Sequence, residues 1–210
     1  MNKELLSCIK LDRGDLIVFG ERPYVGALNI TKDITEYYAS KGVNCLTIDL
    51  YSGPCTITNH IDEKSFFEYA YLTSTSDDVI NMCKTIKKKK NIGLIVIHAF
   101  QLMVDCSNCK KEKLDEAARK IKQMAVDLNV PVILITYVGK IVEIRKNHSP
   151  KLTDFNKYSG IVDEADVVIL LNKEYYYDTN VENRNLIEIN VAKNKYGDLK
   201  QFIYKCQFLY

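Results

Sequence analysis

The chain has 210 residues, of which 47% are hydrophobic and 27% are charged, and its formal net charge is +2. This length suffices for one large domain with a substantial core, and so small a net charge is no argument for nucleic-acid binding by itself. No apolar run approaches the roughly 18 residues of a membrane span, and the N-terminus lacks the apolar core of a signal peptide. The seven scattered cysteines are typical of reduced thiols. We therefore expect a cytoplasmic protein that does not bind membranes.

The first predicted element follows a polar lead-in. An apolar run at 16–19 indicates a short buried strand, and an amphipathic helix is predicted over 27–41. The loop between them contains Gly20, Pro23 and Gly26. The apolar residues that we expect near one side of the helix are Leu28, Ile30, Ile34, Tyr37 and Tyr38. A strand, a glycine-containing loop and a helix together form the layout of a phosphate-binding loop.

The chemistry of that loop is missing. The motif requires a glycine, four free positions and then Gly-Lys-Ser/Thr. Here Glu21 stands at the first glycine and Gly26 at the second, while Ala27 and Leu28 stand at the lysine and the hydroxyl residue. The sequence thus has the layout of a nucleotide site without its cation and its metal ligand.

The middle of the chain continues the alternation of strands and helices. The segments predicted there are a strand over 43–50, an irregular stretch over 51–65 with a turn at Gly53-Pro54, a strand or a helix over 66–72, and a helix from Asp77 with Ser76 as its N-cap. That helix ends in Lys87–Lys90, which suits either phosphate contact or, as we expect, a solvated helix C-terminus.

The second half completes an α/β pattern. Its predicted segments are a central strand over 93–97, the clearest helix over 114–128, strands over 131–136 and 166–171, a polar loop-rich stretch over 139–160, and a hairpin of 186–191 and 201–208 around a turn at 194–198. Alternating strands and helices predict a mostly parallel β-sheet flanked by helices, and the hairpin adds antiparallel strands at one edge.

Cys106 and Cys109 lie in one predicted loop. A lone pair of cysteines supplies two zinc ligands, whereas a structural site needs four. His98 is near in sequence and Cys8 is a further thiol, but nothing fixes either beside the pair. Free thiols are our expectation, and a metal site and a redox pair are the alternatives.

Several stretches in order resemble the C-terminal RecA-like motor domain of DnaB-type replicative DNA helicases. They are Gly14-Asp15-Leu16-Ile17-Val18 with Arg22-Pro23 and Gly26; Leu94-Ile95-Val96-Ile97 with Gln101-Leu102-Met103; Leu128-Asn129-Val130-Pro131-Val132-Ile133; Ala165-Asp166-Val167-Val168; and Val191-Ala192-Lys193-Asn194. The resemblance covers most of 11–208 and implies a RecA-like fold, ATP and magnesium as cofactors, and DNA unwinding as the activity.

The resemblance also implies functional residues, and this chain departs from most of them. Besides Ala27 and Leu28, Tyr51 stands where the family has the glutamate that activates water. His98 replaces the magnesium-anchoring aspartate, and Tyr137 replaces a glutamine. The family's trans-acting basic pair matches Lys193, with Lys195 where arginine is usual. The vestigial nucleotide-binding set is Glu21, Arg22, Pro23, Gly26, Ala27, Leu28, Tyr51, His98, Gln101, Tyr137, Lys193 and Lys195.

These departures all weaken nucleotide binding. Phosphoryl transfer needs cations around the triphosphate and a positioned water. The lost lysine contact is worth about 1.5–3 kcal/mol, and the Glu21 carboxylate about 4 Å from a phosphate repels it by about 4 kcal/mol at intermediate dielectric. We expect a nucleotide site closed by side chains, with no catalytic residue, metal or cofactor. Weak binding without turnover and an active ATP-dependent helicase are the alternatives.

We expect a single RecA-like domain over 1–210 without the family's N-terminal helical domain and linker helix. The chain is then either a naturally shortened protein or an excised domain, and Met1 favours the former. The expected function is a non-enzymatic interaction or regulatory protein linked to DNA replication, with a replicative helicase subunit or a second copy as its partner. The alternative is a module that binds single-stranded DNA through the loops 104–112 and 139–157. The basic residues for this are Lys110, Lys111, Lys113, Lys140, Arg145, Lys146 and Lys151.

Overall fold

The computed structural model describes residues 3–9, 12–50, 54–58, 65–68, 75–103 and 109–206. The helices in these ranges are α1 (Lys3–Cys8), α2 (Ala27–Ala39), α3 (Ser76–Lys90), α4 (Lys111–Leu128), α5 (Ser159–Glu164) and α6 (Glu174–Tyr177). The strands are β1 (Leu16–Glu21), β2 (Asn44–Asp49), β3 (Pro54–Thr58), β4 (Ser65–Glu68), β5 (Ile92–His98), β6 (Val132–Tyr137), β7 (Val167–Asn172), β8 (Leu186–Asn194) and β9 (Gln201–Lys205). Short 3-10 helices span Phe100–Leu102, Lys140–Ile144 and Leu152–Tyr158.

The described strands form one sheet in the order β4-β3-β2-β5-β6-β1-β7-β8-β9. Its five central strands are parallel, and antiparallel pairs extend it at both edges. The predicted fold class, a mostly parallel sheet with helices and a C-terminal antiparallel hairpin, is confirmed. No helix in the described ranges is long and apolar enough to cross a membrane.

The central strands are buried on both faces, which explains their continuous apolar runs. Leu16 and Val18 of β1 belong to one core cluster with α3, α4 and α5, while Ile17 and Phe19 belong to the cluster on the other face with α1 and α2. Helix α4 buries the face that its periodicity predicts, and the residues it buries are Leu114, Ala117, Ala118, Ile121, Met124 and Ala125.

Two predictions about the elements before α3 were wrong, and the alternative between a strand and a helix left open for 66–72 is decided in favour of the strand. The stretch 51–65 is not wholly irregular, because β3 begins at Pro54 and pairs with β2. The segment 66–72 contributes to a strand, β4, and its residues 69–72 lie outside the described ranges. Strand β1 runs two residues further than predicted, because Gly20 and Glu21 keep the register with β6.

Two predictions about helices were also wrong, one about the N-cap of α3 and one about the side of α2 on which Leu28 lies. The N-cap of α3 is Thr75 rather than Ser76, since the Thr75 hydroxyl accepts from the Asp78 amide and the Asp78 carboxylate accepts from the Thr75 amide. Leu28 does not face the core: it is 37% exposed, because the inner side of α2 consists of Ala27, Ile30, Thr31 and Ile34.

The lysines Lys87–Lys90 lie in the last turn of α3, where cations offset the helix dipole. Lys87 also donates to the Ile92 carbonyl at 2.5 Å. This placement agrees with the solvated helix C-terminus that we expected.

Candidate functional site: a phosphate-loop-like turn bonded by Glu21

The candidate site lies at the carboxyl edge of the parallel strands, where β1 ends and α2 begins. Glu21 is the last residue of β1 and is 2% exposed. Its Oε2 accepts hydrogen bonds from the backbone amides of Gly26 at 2.8 Å and Ala27 at 2.7 Å. We call these two amides the amide cradle. They are at the N-terminus of α2, where unpaired N–H groups and the helix dipole attract anions, so the chain itself supplies the anion.

Gly26 is required at this turn for two reasons. Its φ of 140° lies in a region that residues with a side chain rarely adopt. A Cβ atom there would also come within 2.4 Å of the Ile187 side chain on β8. Strand β8 therefore packs directly on the loop, and this close approach holds the amide cradle in place.

Burial raises the pKa of the Glu21 carboxyl to about 7. The two amide hydrogen bonds and the nearby His98 and Lys173 oppose this rise without cancelling it. The carboxyl thus changes charge near neutral pH while it remains inside the fold.

Arg22 follows Glu21 but is held by a different part of the chain. Its guanidinium donates to the Val138 carbonyl at 2.8 Å, and to the Glu143 carboxylate at 2.6 Å and 3.0 Å. Pro23 lies in the turn that follows, which the hydrogen bond from the Val25 amide to the Arg22 carbonyl closes. The hydrogen bonds of the Arg22 side chain thus hold it against the loop after β6.

His98 ends β5 and lies beside the end of β2. Its Nδ1 is 2.8 Å from the Asp49 Oδ1, and the residue is 7% exposed. Gln101 accepts from the Thr136 hydroxyl at 3.1 Å, and its Nε2 is buried without a hydrogen-bond partner among the described residues. Tyr137 pairs with Glu21 in the sheet register. Tyr51, the residue at the catalytic glutamate's position, lies outside the described ranges.

The residues present do not fit a magnesium-bound triphosphate. Magnesium prefers oxygen ligands, whereas Leu28 offers none and the His98 imidazole is paired with Asp49. Ala27 is fully buried and carries no charge. Within the described part of the chain, no group of three or more His, Cys, Asp or Glu residues is arranged to hold a metal ion.

Comparisons with known proteins agree with this geometry at the level of the fold. Residues 54–208 match the family model described as the DnaB-like helicase C terminal domain. The chain belongs to this family. The matched range begins after the amide cradle, so family membership rests on the rest of the sheet and its helices.

Full-length relatives of this family are longer than the chain. The replicative DNA helicase DnaC of Bacillus subtilis is 26% identical over 88% of the chain and 49% of the relative. The replicative DNA helicase DnaB of Geobacillus stearothermophilus is 32% identical over 57% of the chain and 27% of the relative. The chain therefore spans about half or less of the length of these two helicases.

Two solved structures share the fold. One, an ATPase domain, superposes with a TM-score of 0.78 at 16% identity, covering 91% of this chain and 81% of that one. A structure of a DnaB-like replicative helicase and its interactions with primase superposes with a TM-score of 0.77 at 17% identity, covering 93% of this chain and 57% of that one. The RecA-like architecture expected from the resemblance is confirmed.

The positions of the DnaB family's basic pair are engaged inside this domain. Lys193 donates to the carbonyls of Val162 at 2.8 Å and Asp163 at 3.0 Å, at the end of α5. Lys195 forms an ion pair with Asp15 and another with Asp166 at 2.9 Å. Both lysines lie away from the amide cradle, because β8 ends at the amino edge of the parallel strands.

The basic residues of the DNA-binding alternative fall into two groups: three that interact with a nearby aspartate, and four exposed lysines that do not. Lys111 pairs with Asp115 at 2.7 Å, and Arg145 makes a bidentate pair with Asp154 at 2.5 Å. Lys151 lies within electrostatic range of Asp154. The exposed lysines whose ammonium groups form no hydrogen bond or ion pair with the described residues are Lys110, Lys113, Lys140 and Lys146.

Cys109 is a free thiol, and Cys106 lies outside the described ranges, so the alternatives for this pair stay open.

Three residues of the candidate site were missed by the sequence analysis. Asp49 and Lys173 stand at the carboxyl ends of buried parallel strands, and that position is a signal that could have identified them. Nothing in the sequence indicates that Ile187 packs on Gly26.

Proposed function

We propose that this protein is a nucleotide-independent member of its family, a non-enzymatic interaction or regulatory protein linked to DNA replication. Its degenerate phosphate loop retains the turn and the helix but offers the amide cradle to Glu21 instead of to a nucleotide. As a pseudo-ATPase it uses the surfaces of its RecA-like framework to bind a protein partner, and not a nucleotide site for catalysis. Its partner is a replicative helicase subunit or a second copy of the chain.

The observation that carries the proposal is the pair of hydrogen bonds from Gly26 and Ala27 to Glu21, at 2.8 Å and 2.7 Å. A triphosphate would have to displace a buried carboxylate from the amides and would gain neither a lysine nor a metal anchor in return. Micromolar affinity corresponds to only about 8 kcal/mol. Losses of a few kcal/mol at each of several contacts are therefore enough to abolish binding.

A protein partner is supported by apolar side chains at the carboxyl edge of the sheet. Tyr24, Leu102, Ile141 and Ile144 follow β1, β5 and β6, which are neighbours, and Ile144 is 79% exposed. Exposed apolar residues that share one edge are typical of interaction surfaces. The related DnaB-like helicase was solved with its interactions with primase, so a member of this fold is known to engage another replication protein.

The nucleotide test uses the purified chain at pH 8 with millimolar ATP and magnesium. We expect no rise in melting temperature and no hydrolysis above the buffer rate. A stabilisation of several degrees, or turnover that responds to substitution of Glu21, would establish the alternative, an ATP-dependent helicase domain.

The partner test measures association with the replicative helicase of the same organism, and with itself, by light scattering coupled to gel filtration. Ile144→Lys should abolish the complex, because it places a charge in the proposed apolar surface. The matched control is Leu199→Lys, which alters a residue 64% exposed in the hairpin turn at the opposite edge. Equal complex formation by both variants would remove this surface from the proposal.

DNA binding is the second candidate, favoured by Lys110, Lys113, Lys140 and Lys146. These four lysines have no partner among the described residues, and they lie at the start of α4 and in the loop after β6, both at the carboxyl edge of the sheet. Electrostatic binding of a labelled single strand should weaken steeply as salt rises. Absence of single-strand binding at low salt, on the order of 50 mM, eliminates this candidate.

A further inference from the structure

A cleft of about 510 Å³ lies at the amino edge of the sheet, at the opposite end of the strands from the amide cradle. The first residues of β2 and β5 and the residue before β6 line it, together with the ends of α2, α3 and α4. Among the described residues, none that belongs to the candidate site lines this cleft. Ligand-binding clefts have volumes of about 300–1,000 Å³, so this one is large enough for several side chains of a bound molecule.

The cleft lies where the register between β2 and β5 is irregular. Asn44 pairs with Ile92, but the next residue, Cys45, pairs with Leu94, so Gly93 is left out of the pairing. An extra residue of this kind disrupts the ladder and bends the strand that carries it. The amino edge between these two strands is therefore not closed by regular pairing, and this is where the cleft opens.

Part of the lining is apolar. The residues that contribute it are Tyr38, Val43, Leu94, Leu128, Val130 and Pro131. Tyr38 is half-buried, and burial raises the pKa of its hydroxyl. That hydroxyl forms no hydrogen bond with the described residues. The apolar lining can thus pack against an aliphatic or aromatic side chain, and the Tyr38 hydroxyl can still donate to a ligand.

The charged lining of the cleft is entirely positive. Arg13 and Lys87 line it, and among the described residues no Asp or Glu does so. The Arg13 guanidinium is exposed and forms no hydrogen bond or ion pair with the described part of the chain. Lys87 donates one N–H group to the Ile92 carbonyl at 2.5 Å, which leaves two of its three donors for a ligand.

Two asparagines add uncharged donors. Asn91 and Asn129 are the C-caps of α3 and α4, and both have the left-handed conformation that glycine usually supplies at helix ends. Both line the cleft, and neither side-chain amide is hydrogen-bonded within the described ranges. Asparagine at these two positions places an amide beside the cleft, where glycine would place none.

The surrounding charges favour an anion. Three helix C-termini together carry roughly −1.5 elementary charges, whereas the six cations at these ends are Arg13, Lys41 and Lys87–Lys90. The acidic residues next to the lining in the chain are Asp12 and Asp127, and neither lines the cleft. The net charge around the cleft is therefore positive, and it attracts a negatively charged ligand.

We propose that this cleft binds a short acidic segment of a protein partner, in which Asp or Glu flanks a leucine, isoleucine or phenylalanine. Carboxylates of the segment pair with Arg13 and Lys87, and its apolar side chain packs on the apolar lining. Arg13, Asn91 and Asn129 are exposed along the rim, so a peptide can enter and leave the cleft at its open side. The inference goes beyond the proposed function, because it does not depend on whether the amide cradle is closed to nucleotide.

The test begins with a phage library of random short peptides selected against the full chain. The enriched sequences should combine Asp or Glu with an apolar side chain. The best of them, synthesised with a fluorescent label, is the probe, and its dissociation constant is measured by fluorescence polarisation. Its affinity should fall as salt rises from about 10 mM to about 1 M, because the Debye length shortens from roughly 30 Å to roughly 3 Å.

Two variants of the rim and one control complete the test. Arg13→Glu should weaken binding of the probe about tenfold or more, since it replaces a charged donor by a like charge. Asn129→Gly removes one amide at a position that glycine adopts readily, and it should weaken binding several-fold. Lys200→Glu changes the net charge as Arg13→Glu does, at an exposed residue beside β9, and should bind the probe like the wild-type chain. Equal melting temperatures establish that all three variants are folded.

The inference is overturned if no sequence is enriched, if the enriched sequences lack acidic residues, or if Arg13→Glu binds the probe as tightly as the wild-type chain. Binding that survives Arg13→Glu but is lost in Ile144→Lys would assign the peptide to the apolar surface at the carboxyl edge and would also overturn it. These results leave the nucleotide-independent function untouched. Binding of magnesium-ATP by the wild-type chain would instead overturn that function and would leave the peptide cleft in place.

Discussion

Glu21 combines two environments that shift a carboxyl in opposite directions. Burial disfavours its charged form, while two amides at a helix N-terminus favour that form. Burial prevails and raises the pKa to about 7. A single glutamate in place of a glycine thus provides both an occupant for the amide cradle and a group that titrates near neutrality.

The stability of the fold should therefore fall as pH rises through neutrality. The pKa of Glu21 is about 7 in the folded chain against a model value of 4.5, so its stabilising effect is complete below about pH 4.5 and is lost as pH rises to about 7. The difference amounts to roughly 3 kcal/mol. Urea unfolding at pH 5 and 8.5 measures it. Glu21→Gln should lose most of this pH dependence, and an unchanged slope would contradict the assignment.

Restoring the motif's missing residues should fail while Glu21 remains. The double variant Ala27→Lys with Leu28→Thr supplies the cation and the hydroxyl, but the carboxylate still holds the amide cradle and would pair with the new lysine. Adding Glu21→Gly should raise the affinity for magnesium-ATP at least tenfold, an energy of about 1.4 kcal/mol. Calorimetric titration compares the two variants, and equal affinities would show that Glu21 is not the obstacle.

At the scale of elements, α3 depends on the cap that the sequence alone did not identify. Thr75 and Asp78 form reciprocal hydrogen bonds that satisfy two amides at the start of the helix. Thr75→Ala should lower the free energy of unfolding by about 1 kcal/mol. Thr85→Ala, on the exposed side of the same helix, should cost less than about 0.5 kcal/mol. Urea unfolding of the two variants decides whether Thr75 is the cap.

The elements that could be predicted have strong periodic or continuous apolar patterns. Helix α4 and strands β5 and β6 are of this kind, because burial on one face or on both leaves a direct record in the sequence. Strand β3 escaped prediction because its pairing with β2 supplies what its local sequence lacks. Leu28 was misplaced because small and β-branched residues occupy the inner side of the first turns of α2.

The site was predictable only in part, for a related reason. The positions of Glu21, Gly26 and Ala27 follow from one loop, and the sequence placed the carboxylate beside the phosphate-binding position. That it bonds to the amides depends on the extension of β1 to Glu21 and on the packing of Ile187. Partners such as Arg22 and Glu143 lie more than a hundred residues apart, and only the sheet order brings them together.

At the scale of the whole molecule, one charged network ties the amino edge of the sheet together. Asp166 accepts from Lys122 at 2.6 Å, from the Leu16 amide at 2.8 Å and from Lys195 at 2.9 Å. Lys195 also pairs with Asp15. The network joins β1, α4, β7 and the turn of the β8–β9 hairpin, which are distant in sequence.

Loss of this network should act on the acid side of the stability profile. Burial tends to raise the pKa of Asp166, but the hydrogen bonds from Lys122, the Leu16 amide and Lys195 outweigh it and hold that pKa below its usual value. Its contribution is therefore present above the unfolded pKa and is lost as pH falls through the folded one. Asp166→Asn should cost about 1–2 kcal/mol at pH 6, allowing for partial exposure.

The control for this prediction is Asp163→Asn, an exposed residue on the neighbouring helix α5. It should change the free energy of unfolding by less than about 0.5 kcal/mol. Together, Asp166 and Glu21 predict a stability maximum in mildly acidic solution for the wild-type chain. Denaturant unfolding from pH 3 to pH 9 tests this, and a maximum above pH 8 would contradict it.

The most direct test of the closed amide cradle is a crystal structure of the wild-type chain grown at pH 8 with saturating magnesium and a non-hydrolysable ATP analogue. We predict that the Glu21 carboxylate accepts hydrogen bonds from the Gly26 and Ala27 amides and that no phosphate lies there. An ordered phosphate on those amides, with the Glu21 side chain turned away, would contradict it.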